Sequence, residues 1–262
     1  MPFVRTRDNI PIHYHMYGNG PVTLLFIHPP GMGLVTFKQQ IDLSKKFTIL
    51  LVDLRGNGKS GLDSKQISFS LLAQDLADVL DGLKIDKAVL CGYSNGGSIA
   101  LEFSYNYPSR TAGLILVGAF PKVNSILLFA EFMLGIVATK LNGISLIAKV
   151  IGNAHAHSKQ FGRELEQYIK KTKASTLHQM YNEGVKYDCT SKLSSIDVPI
   201  LLVYGQKDYY VHHYQKEFKA LHHDTDVVYV SKAKHQVPTK FAKEFNAICV
   251  SFIENKLMKK GD

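Results

Sequence analysis

Cysteine is scarce in this sequence, which has three residues of this type, at positions 91, 189 and 249. An odd number of widely spaced cysteines does not make a disulfide framework, and such scarcity suits a reducing compartment. Cys91 and Cys249 fall within apolar segments, which predicts that both are small core residues. We therefore predict a cytoplasmic protein that does not depend on disulfide bonds.

Apolar runs long enough to span a membrane are missing as well. The most apolar segment, residues 123–141, is interrupted by Asn124, Ser125 and Glu131, so it falls short of a membrane span. Residues 1–18 alternate like a strand and lack the apolar core of a secretory signal. We expect neither a signal peptide nor stable membrane insertion. Repeats and low-complexity tracts are also absent, and the 45% of hydrophobic residues are enough for a globular core.

The net charge of +9 arises from 31 Lys and Arg against 22 Asp and Glu, and it favours anionic partners only where basic residues cluster. The densest basic stretches, residues 168–173 and 255–260, are short and lack the aromatic interleaving of nucleic-acid binding segments. We therefore expect no nucleic-acid partner.

Six continuous apolar runs predict strands that are buried on both faces, as in a parallel sheet covered by helices. The runs are residues 23–28, 47–54, 87–94, 112–120, 199–205 and 226–233. Helical patterns over 70–83 and 243–257 place apolar residues along one stripe. This alternation predicts an α/β fold with a mostly parallel central sheet flanked by helices.

The alternation stops in residues 121–190, which contain four helix-like pieces and no strand pattern. This stretch predicts a helical insertion between two strands of the sheet. We therefore predict a core made of residues 1–120 and 191–262 and a helical cap, or lid, made of residues 121–190.

A glycine-rich turn lies where one predicted strand becomes a helix. Residues 92–96, Gly-Tyr-Ser-Asn-Gly, match the G-x-S-x-G pattern in the strand-to-helix context that this motif requires. Bulk at either glycine would clash in so tight a turn, and the serine is predicted to have a strained backbone. The motif predicts that Ser94 is a nucleophile, which needs a base and a carboxylate to activate its hydroxyl.

Two further residues follow predicted strands toward the C-terminal edge of the sheet, where ligands bind in open α/β folds. Asp208 follows the run 199–205, and His235 follows the run 226–233. The chain order Ser, Asp, His is the order expected for this architecture. We predict that His235 is the base for Ser94 and that Asp208 orients it, the alternative for Asp208 being a helix cap.

The other histidines are given no catalytic role. His28 ends an early strand and is predicted to brace the loop that follows. Close pairs such as His155 with His157, or His212 with His213, lack the accompanying carboxylate or cysteine spacing of a metal site. No metal and no cofactor is predicted.

These motifs together resemble those of the α/β-hydrolase superfamily, in its compact form with a helical cap. The resemblance rests on the segments FIHPPGMG, VDLRGNGKS, GYSNGG, YGQKD and KHQVP and spans nearly the whole chain. It implies a triad of Ser94, Asp208 and His235 beneath the lid. The resemblance implies that dehalogenases and epoxide hydrolases of the superfamily use an aspartate as the nucleophile. It implies that the dehalogenases also use a tryptophan. The serine at position 94 and the absence of tryptophan set both activities aside.

The sequence departs from the family pattern at the backbone N–H groups that would stabilise the oxyanion, the negatively charged oxygen of the reaction intermediate. The backbone N–H of Asn95, directly after the nucleophile, is the predicted first donor. The second donor should come from the loop of residues 28–33, where family members commonly have a glycine followed by the donor residue. This chain has two prolines in those places, and proline has no N–H. Either Gly31 or Met32 is predicted to donate instead.

The predicted function is hydrolysis of a small carboxylic ester through an acyl-enzyme. The apolar segment 126–137 is interpreted either as the lining of a pocket for an acyl or aromatic group or as packing of the cap onto the core. Hydrolysis of thioesters, lactones or carbon–carbon bonds by the same residues stays open. A second hypothesis, favoured by the proline pair, is a ligand-sensing or signalling protein with little turnover. The sequence predicts neither the natural substrate nor the oligomeric state.

Overall fold

The computed structural model describes residues 2–63 and 66–258, and a sheet of eight strands runs through it. The strands are β1 Phe3–Arg5, β2 Pro11–Tyr17, β3 Thr23–Ile27, β4 Thr48–Val52, β5 Ala88–Tyr93, β6 Thr111–Val117, β7 Ile200–Gly205 and β8 Thr225–Val230. Their spatial order is β1-β2-β4-β3-β5-β6-β7-β8. The strands from β3 to β8 are parallel, while β1 and β2 pair in the antiparallel sense. The predicted fold class is confirmed, and each of the six apolar runs forms one of the strands β3 to β8.

The helices lie largely in the segments of the chain between the apolar runs. They are α1 Phe69–Gly82, α2 Asn95–Asn106, α3 Ile126–Lys140, α4 Ile144–His155, α5 Lys159–Ile169, α6 Ala174–Lys186, α7 Tyr214–Leu221, α8 Val237–Lys240 and α9 Ala242–Phe252. Short 3-10 segments cover Leu34–Lys45, Pro108–Arg110 and Thr190–Ser195, and a π-helical turn covers Ile253–Leu257. The α-helical part of the predicted C-terminal helix therefore ends at Phe252.

The sheet separates two hydrophobic cores, which explains why its strands are continuously apolar. Leu25 and Ile27 of β3 pack into the core that contains α1 and α2, whereas Leu24 and Phe26 pack into the core that contains α9. All four side chains are fully buried. A strand with helices on both faces has no side that tolerates polar residues, so its sequence does not alternate.

The last strand differs from the prediction of burial on both faces. Asp226 and Tyr229 of β8 are exposed, because β8 lies at the edge of the sheet and pairs with β7 alone. The cysteines do follow the prediction, since Cys91 and Cys249 are both buried and neither forms a disulfide bond.

Helices α3 to α6 form a helical insertion between β6 and β7. The insertion packs against loops that follow the carboxyl ends of three strands. Leu177 lies against the backbone of Gly31 after β3, Tyr168 donates its hydroxyl to Asp53 after β4, and Gly184 lies against the side chain of Asn95 after β5. The insertion therefore covers the edge of the sheet at which the predicted site residues lie.

Candidate active site

Ser94 stands at a sharp turn between β5 and α2. Its φ of 52° and ψ of −126° lie in a region that non-glycine residues rarely adopt. The turn is held in place because the Ser94 N–H donates to the Val117 carbonyl at 2.7 Å. A Cβ on Gly96 would lie 2.3 Å from the Ile27 carbonyl oxygen, and one on Gly92 would lie 2.5 Å from the Gly97 Cα. Both glycines are therefore required by close backbone approach, as the motif predicts.

Asp208 and His235 meet above the ends of β7 and β8. The His235 Nδ1 and the Asp208 Oδ2 are 2.7 Å apart, and both side chains are largely removed from solvent. Asp208 does not cap a helix, since α7 begins six residues later, at Tyr214. This geometry orients the imidazole, and it leaves Nε2 as the nitrogen that can accept a proton.

The serine and the imidazole line one pocket of about 90 Å³. Its walls come from both the sheet edge and the helical insertion: Pro29, Pro30, Met32, Tyr93, Ser94, Asn95, Leu128, Glu131, Phe132, Ile151, His155, Tyr181 and His235. No hydrogen bond links the Ser94 hydroxyl to a partner within residues 2–63 and 66–258. The hydroxyl and the imidazole share the pocket in this conformation without being bonded to each other.

The pKa values of the two histidines of the pocket are shifted in opposite directions. Burial lowers the pKa of His235, but the charge and the hydrogen bond of Asp208, aided by the charge of Glu131, outweigh it, so the pKa is raised above its usual value. For His155, burial together with the nearby His235 and Lys240 lowers the pKa to about 3. His155 is therefore neutral over the whole physiological range, whereas Asp208 favours the protonated form of His235.

The loop after β3 departs from the predicted oxyanion geometry. The Gly31 N–H donates to Asn57 Oδ1 at 2.9 Å, and the Met32 N–H donates to the Pro29 carbonyl at 3.2 Å. Both candidate donors therefore already have acceptors in this conformation. Met32 lines the pocket and its turn bond is long, whereas the backbone of Gly31 faces Leu177 of the insertion.

Asn95, the other predicted donor, directly follows Ser94 and begins α2. Its backbone N–H is among the first of the helix, which have no acceptor within the helix itself. Its side-chain amide is buried and has no hydrogen-bond partner among the described residues. Asn95 thus lines the pocket with an unpaired side-chain amide, and its backbone N–H remains the predicted first donor.

Several residues that contribute to the site were missed by the sequence analysis. Asn57, within the VDLRGNGKS segment, is fully buried and fixes the loop after β3 through Gly31. Tyr93 is fully buried with its ring centroid 5.4 Å from that of His235 and 5.8 Å from that of His155, and its hydroxyl has no partner among the described residues. His28, by contrast, does brace its loop as predicted, through the Pro29 carbonyl and the Leu54 N–H.

Gly118 is the most constrained of the missed residues. It follows β6 with a φ of 55°, in the left-handed region, and a Cβ here would lie 2.6 Å from Cε1 and 2.8 Å from Nδ1 of His235. The absence of a side chain at position 118 therefore leaves the space that the imidazole occupies. The sequence at this strand end, VGAFPK, shows only that it has no carboxylate to offer.

Replacing Gly118 by alanine is expected to lower kcat/KM at least about 100-fold, because the new methyl group displaces the imidazole from Ser94. Gly113→Ala in the same region of the chain is the matched control, since its added Cβ meets Leu257 at an ordinary distance of 3.4 Å. Steady-state kinetics and thermal unfolding of both variants test this. A Gly118→Ala protein with wild-type kcat/KM would show that His235 does not need its observed position.

The described residues contain no group of three or more His, Cys, Asp or Glu side chains arranged to hold a metal ion. What the pocket offers is a hydroxyl on a strained turn, an oriented imidazole, and backbone and side-chain amides. These are the groups that acyl transfer through a covalent intermediate uses.

A family model described as serine aminopeptidase, S33, matches residues 43–239, a segment that contains Ser94, Asp208 and His235. The chain belongs to this family of hydrolases. Membership confirms the resemblance to the α/β-hydrolase superfamily, since family and fold agree.

Relatives of known sequence extend along most of the chain. The human serine hydrolase BPHL is 25% identical over 264 residues, which cover 94% of this chain and 84% of that protein. A pimeloyl-[acyl-carrier protein] methyl ester esterase from Wigglesworthia glossinidia brevipalpis is 31% identical over 218 residues, covering 76% of this chain and 79% of its own length. Similarity therefore extends through the core and the helical insertion of this hydrolase.

Solved structures support the fold. An esterase from Exiguobacterium antarcticum superposes with a TM-score of 0.87 at 21% identity, covering 97% of this chain and 99% of the other. The enol-lactonase from Burkholderia xenovorans LB400 gives a TM-score of 0.85 at 19% identity, covering 97% and 100%. At such identities the likeness concerns the fold alone, which different hydrolytic activities share.

Proposed function

We propose that this hydrolase cleaves carboxylic esters of small molecules through an acyl-enzyme on Ser94. His235 Nε2 takes the hydroxyl proton as the Ser94 oxygen attacks the carbonyl carbon, and returns that proton to the departing alcohol. Water then attacks the acyl-enzyme with His235 as base again, which releases the acid and restores Ser94. Asp208 holds the imidazole in the tautomer that this sequence requires.

The observation that carries the proposal is the 2.7 Å contact between His235 Nδ1 and Asp208 Oδ2 in the pocket that the strained Ser94 turn lines. A purely structural contact between His235 and Asp208 would not require the strained backbone of Ser94. Such backbone strain lowers stability and is typical of residues that take part in a reaction. The raised pKa of His235 also makes its imidazole a stronger base toward the Ser94 hydroxyl.

The pocket supports a compact acyl or aromatic group as the substrate. Leu128, Phe132 and Ile151 give it an apolar side, while the Tyr93 hydroxyl and the Asn95 amide give it polar contacts. Its volume of about 90 Å³ is well below the roughly 300–1,000 Å³ typical of sites for drug-sized ligands. We further propose that residues 121–190 act as a cap, because α3 and α4 contribute this apolar wall.

Related activities are the nearest alternatives. The names of the relatives include methyl ester esterase and those of the structural neighbours include enol-lactonase, and hydrolysis of either bond type needs the same three residues. Proteolysis is suggested by the family description alone.

The three free, buried cysteines support the predicted cytoplasmic location.

A second candidate is a ligand-binding protein with little turnover. It is favoured by the loop after β3, where Pro30 lacks an N–H and the N–H groups of Gly31 and Met32 already have acceptors. Catalysis then requires this loop to release one donor, for which Met32 is the better placed. Without that movement the pocket would bind an ester without stabilising its oxyanion.

Covalent labelling separates the two candidates. A fluorophosphonate probe is expected to modify Ser94, as located by mass spectrometry, and p-nitrophenyl acetate and butyrate are expected to be hydrolysed faster than p-nitrophenyl palmitate. A lactone, a thioester and an amino-acid p-nitroanilide complete the substrate panel. Labelling without measurable hydrolysis of any of these substrates would favour the ligand-binding protein, and labelling at another serine in place of Ser94 would contradict the proposed esterase mechanism.

A further inference from the structure

The exposed apolar side chains of this protein are concentrated on one surface of the helical insertion. Nine of the sixteen large ones among the described residues lie on α3, the turn after it and α4. We call this surface the outer face; it consists of Ile126, Leu127, Phe129, Met133, Leu134, Val137, Leu141, Leu146 and Val150. Large apolar side chains exposed in such number on two adjacent helices are typical of an interaction site.

Helix α3 is apolar on both its inner and its outer side. Its inner side buries Leu128 and Phe132, which line the pocket, while Leu134 and Leu141 on the outer side are 72% and 77% exposed. Packing of the insertion onto the core and lining of the pocket therefore account for the inner side only. A helix that is hydrophobic all round usually has a partner on every side, and nothing in residues 2–63 and 66–258 covers the outer one.

Two lysines lie among the exposed residues of α3 and α4. Lys140 ends α3 and Lys149 lies in α4; both are exposed and neither has an ion-pair partner among the described residues. The one acidic residue of α3, Glu131, is also exposed, and it lies on the side of the helix that lines the pocket. A second copy of the chain would bring the same lysines to an interface, whereas an anionic surface complements them.

None of the described helices is long and apolar enough to cross a membrane. Helix α3 has 15 residues, which corresponds to about 22 Å, and it carries exposed Leu, Ile and Phe with Lys140 at its end. Its exposed apolar side chains would allow α3 to lie in the plane of the headgroups with its outer side among the acyl chains and Lys140 at the level of the phosphates.

We propose that the outer face binds the surface of membranes that contain anionic lipids. Helix α3 lies parallel to the bilayer, its outer side chains contact the upper part of the acyl chains, and Lys140 and Lys149 contact lipid phosphates. Since the inner side of α3 lines the pocket, the pocket then opens close to the lipid surface. The binding proposal does not depend on the reaction proposed for the pocket.

Co-sedimentation with vesicles tests this proposal. The wild-type protein is expected to bind vesicles made of equal parts of phosphatidylcholine and phosphatidylglycerol, and to bind pure phosphatidylcholine at least roughly tenfold more weakly, given the two lysines. Adding salt is expected to reduce the difference. The double variant Leu134→Gln with Leu141→Gln is expected to lose at least roughly tenfold in affinity for the mixed vesicles.

The matched control carries Met16→Gln and Leu221→Gln, two exposed apolar residues remote in sequence from the insertion, and it is expected to bind like the wild type. Thermal unfolding shows whether each variant folds, and Lys140→Glu with Lys149→Glu tests the charges without changing the apolar residues. Absence of binding to the mixed vesicles overturns the proposal, as does equal loss in the control. A dimer, detected by light scattering, that dissociates in the Leu134→Gln, Leu141→Gln variant while vesicles stay unbound assigns the outer face to a second copy instead.

Discussion

Replacing Ser94 by alanine is expected to abolish ester hydrolysis, lowering kcat by about 10⁶-fold when the full triad contributes to the rate. The reason is that Ser94 is the only serine or threonine among the described residues that line the pocket: alanine removes the attacking oxygen while His235 and Asp208 stay in place. Steady-state kinetics with p-nitrophenyl butyrate measure the effect, together with fluorophosphonate labelling. The fold is expected to persist, since alanine at φ 52° is about as strained as serine.

Ser98→Ala is the matched control, because Ser98 lies one turn further along α2 and its hydroxyl makes only a 3.4 Å contact with the Phe120 carbonyl. This variant is expected to keep wild-type kcat within a few-fold. Hydrolysis that is equal in wild type and Ser94→Ala would mean that the measured turnover does not come from this pocket. The ligand-binding alternative would then be preferred.

Much of the fold could be predicted because burial on both faces leaves a direct trace in the sequence. Each strand from β3 to β7 lies between two hydrophobic cores and appears as an unbroken apolar run. The edge strand β8 was predicted in position but not in burial, since pairing with β7 alone is a property of the assembled sheet. Exposure of Tyr229 at that edge cannot be deduced from its own segment.

The candidate nucleophile, base and acid could be predicted because the carboxyl ends of parallel strands converge. Gly118 and Asn57 could not, because their effects depend on contacts with residues far along the chain: Gly118 with His235, and Asn57 with Gly31. A glycine after a strand has many uses, and only the approach of the imidazole shows which one applies. His155 likewise enters the pocket from the insertion, whose packing has no signature in the spacing of its histidines.

The apolar segment 126–137 combines both uses that its sequence suggested and adds a third. Leu128 and Phe132 are buried in the core and also line the pocket, so lining and packing are not alternatives. The outer residues do neither. Sequence periodicity could not separate these roles, because a helix that is apolar all round has no contrast from which to identify its buried side.

Replacing Asp208 by asparagine is expected to lower kcat by about 10⁴-fold, because an amide at this position favours the wrong imidazole tautomer. The pH dependence gives a second signature. Catalysis needs neutral His235, so in the wild type kcat/KM rises with pH through the pKa of His235, which the negative charge of Asp208 holds above the usual value of about 6.5. Removing that charge lowers the pKa and moves the rising limb of the residual activity to lower pH.

Asp226→Asn provides the matched control on the neighbouring strand, where the carboxylate is exposed and contacts Lys256 at 3.3 Å. It is expected to leave both kcat and the pH limb unchanged, since an exposed ion pair contributes little to the protein. If Asp208→Asn instead kept wild-type kcat and the same limb, the 2.7 Å contact with His235 would be structural only. A loss of activity with an unshifted limb would mean that Asp208 positions the imidazole without setting its pKa, because geometry and charge affect these two measurements separately.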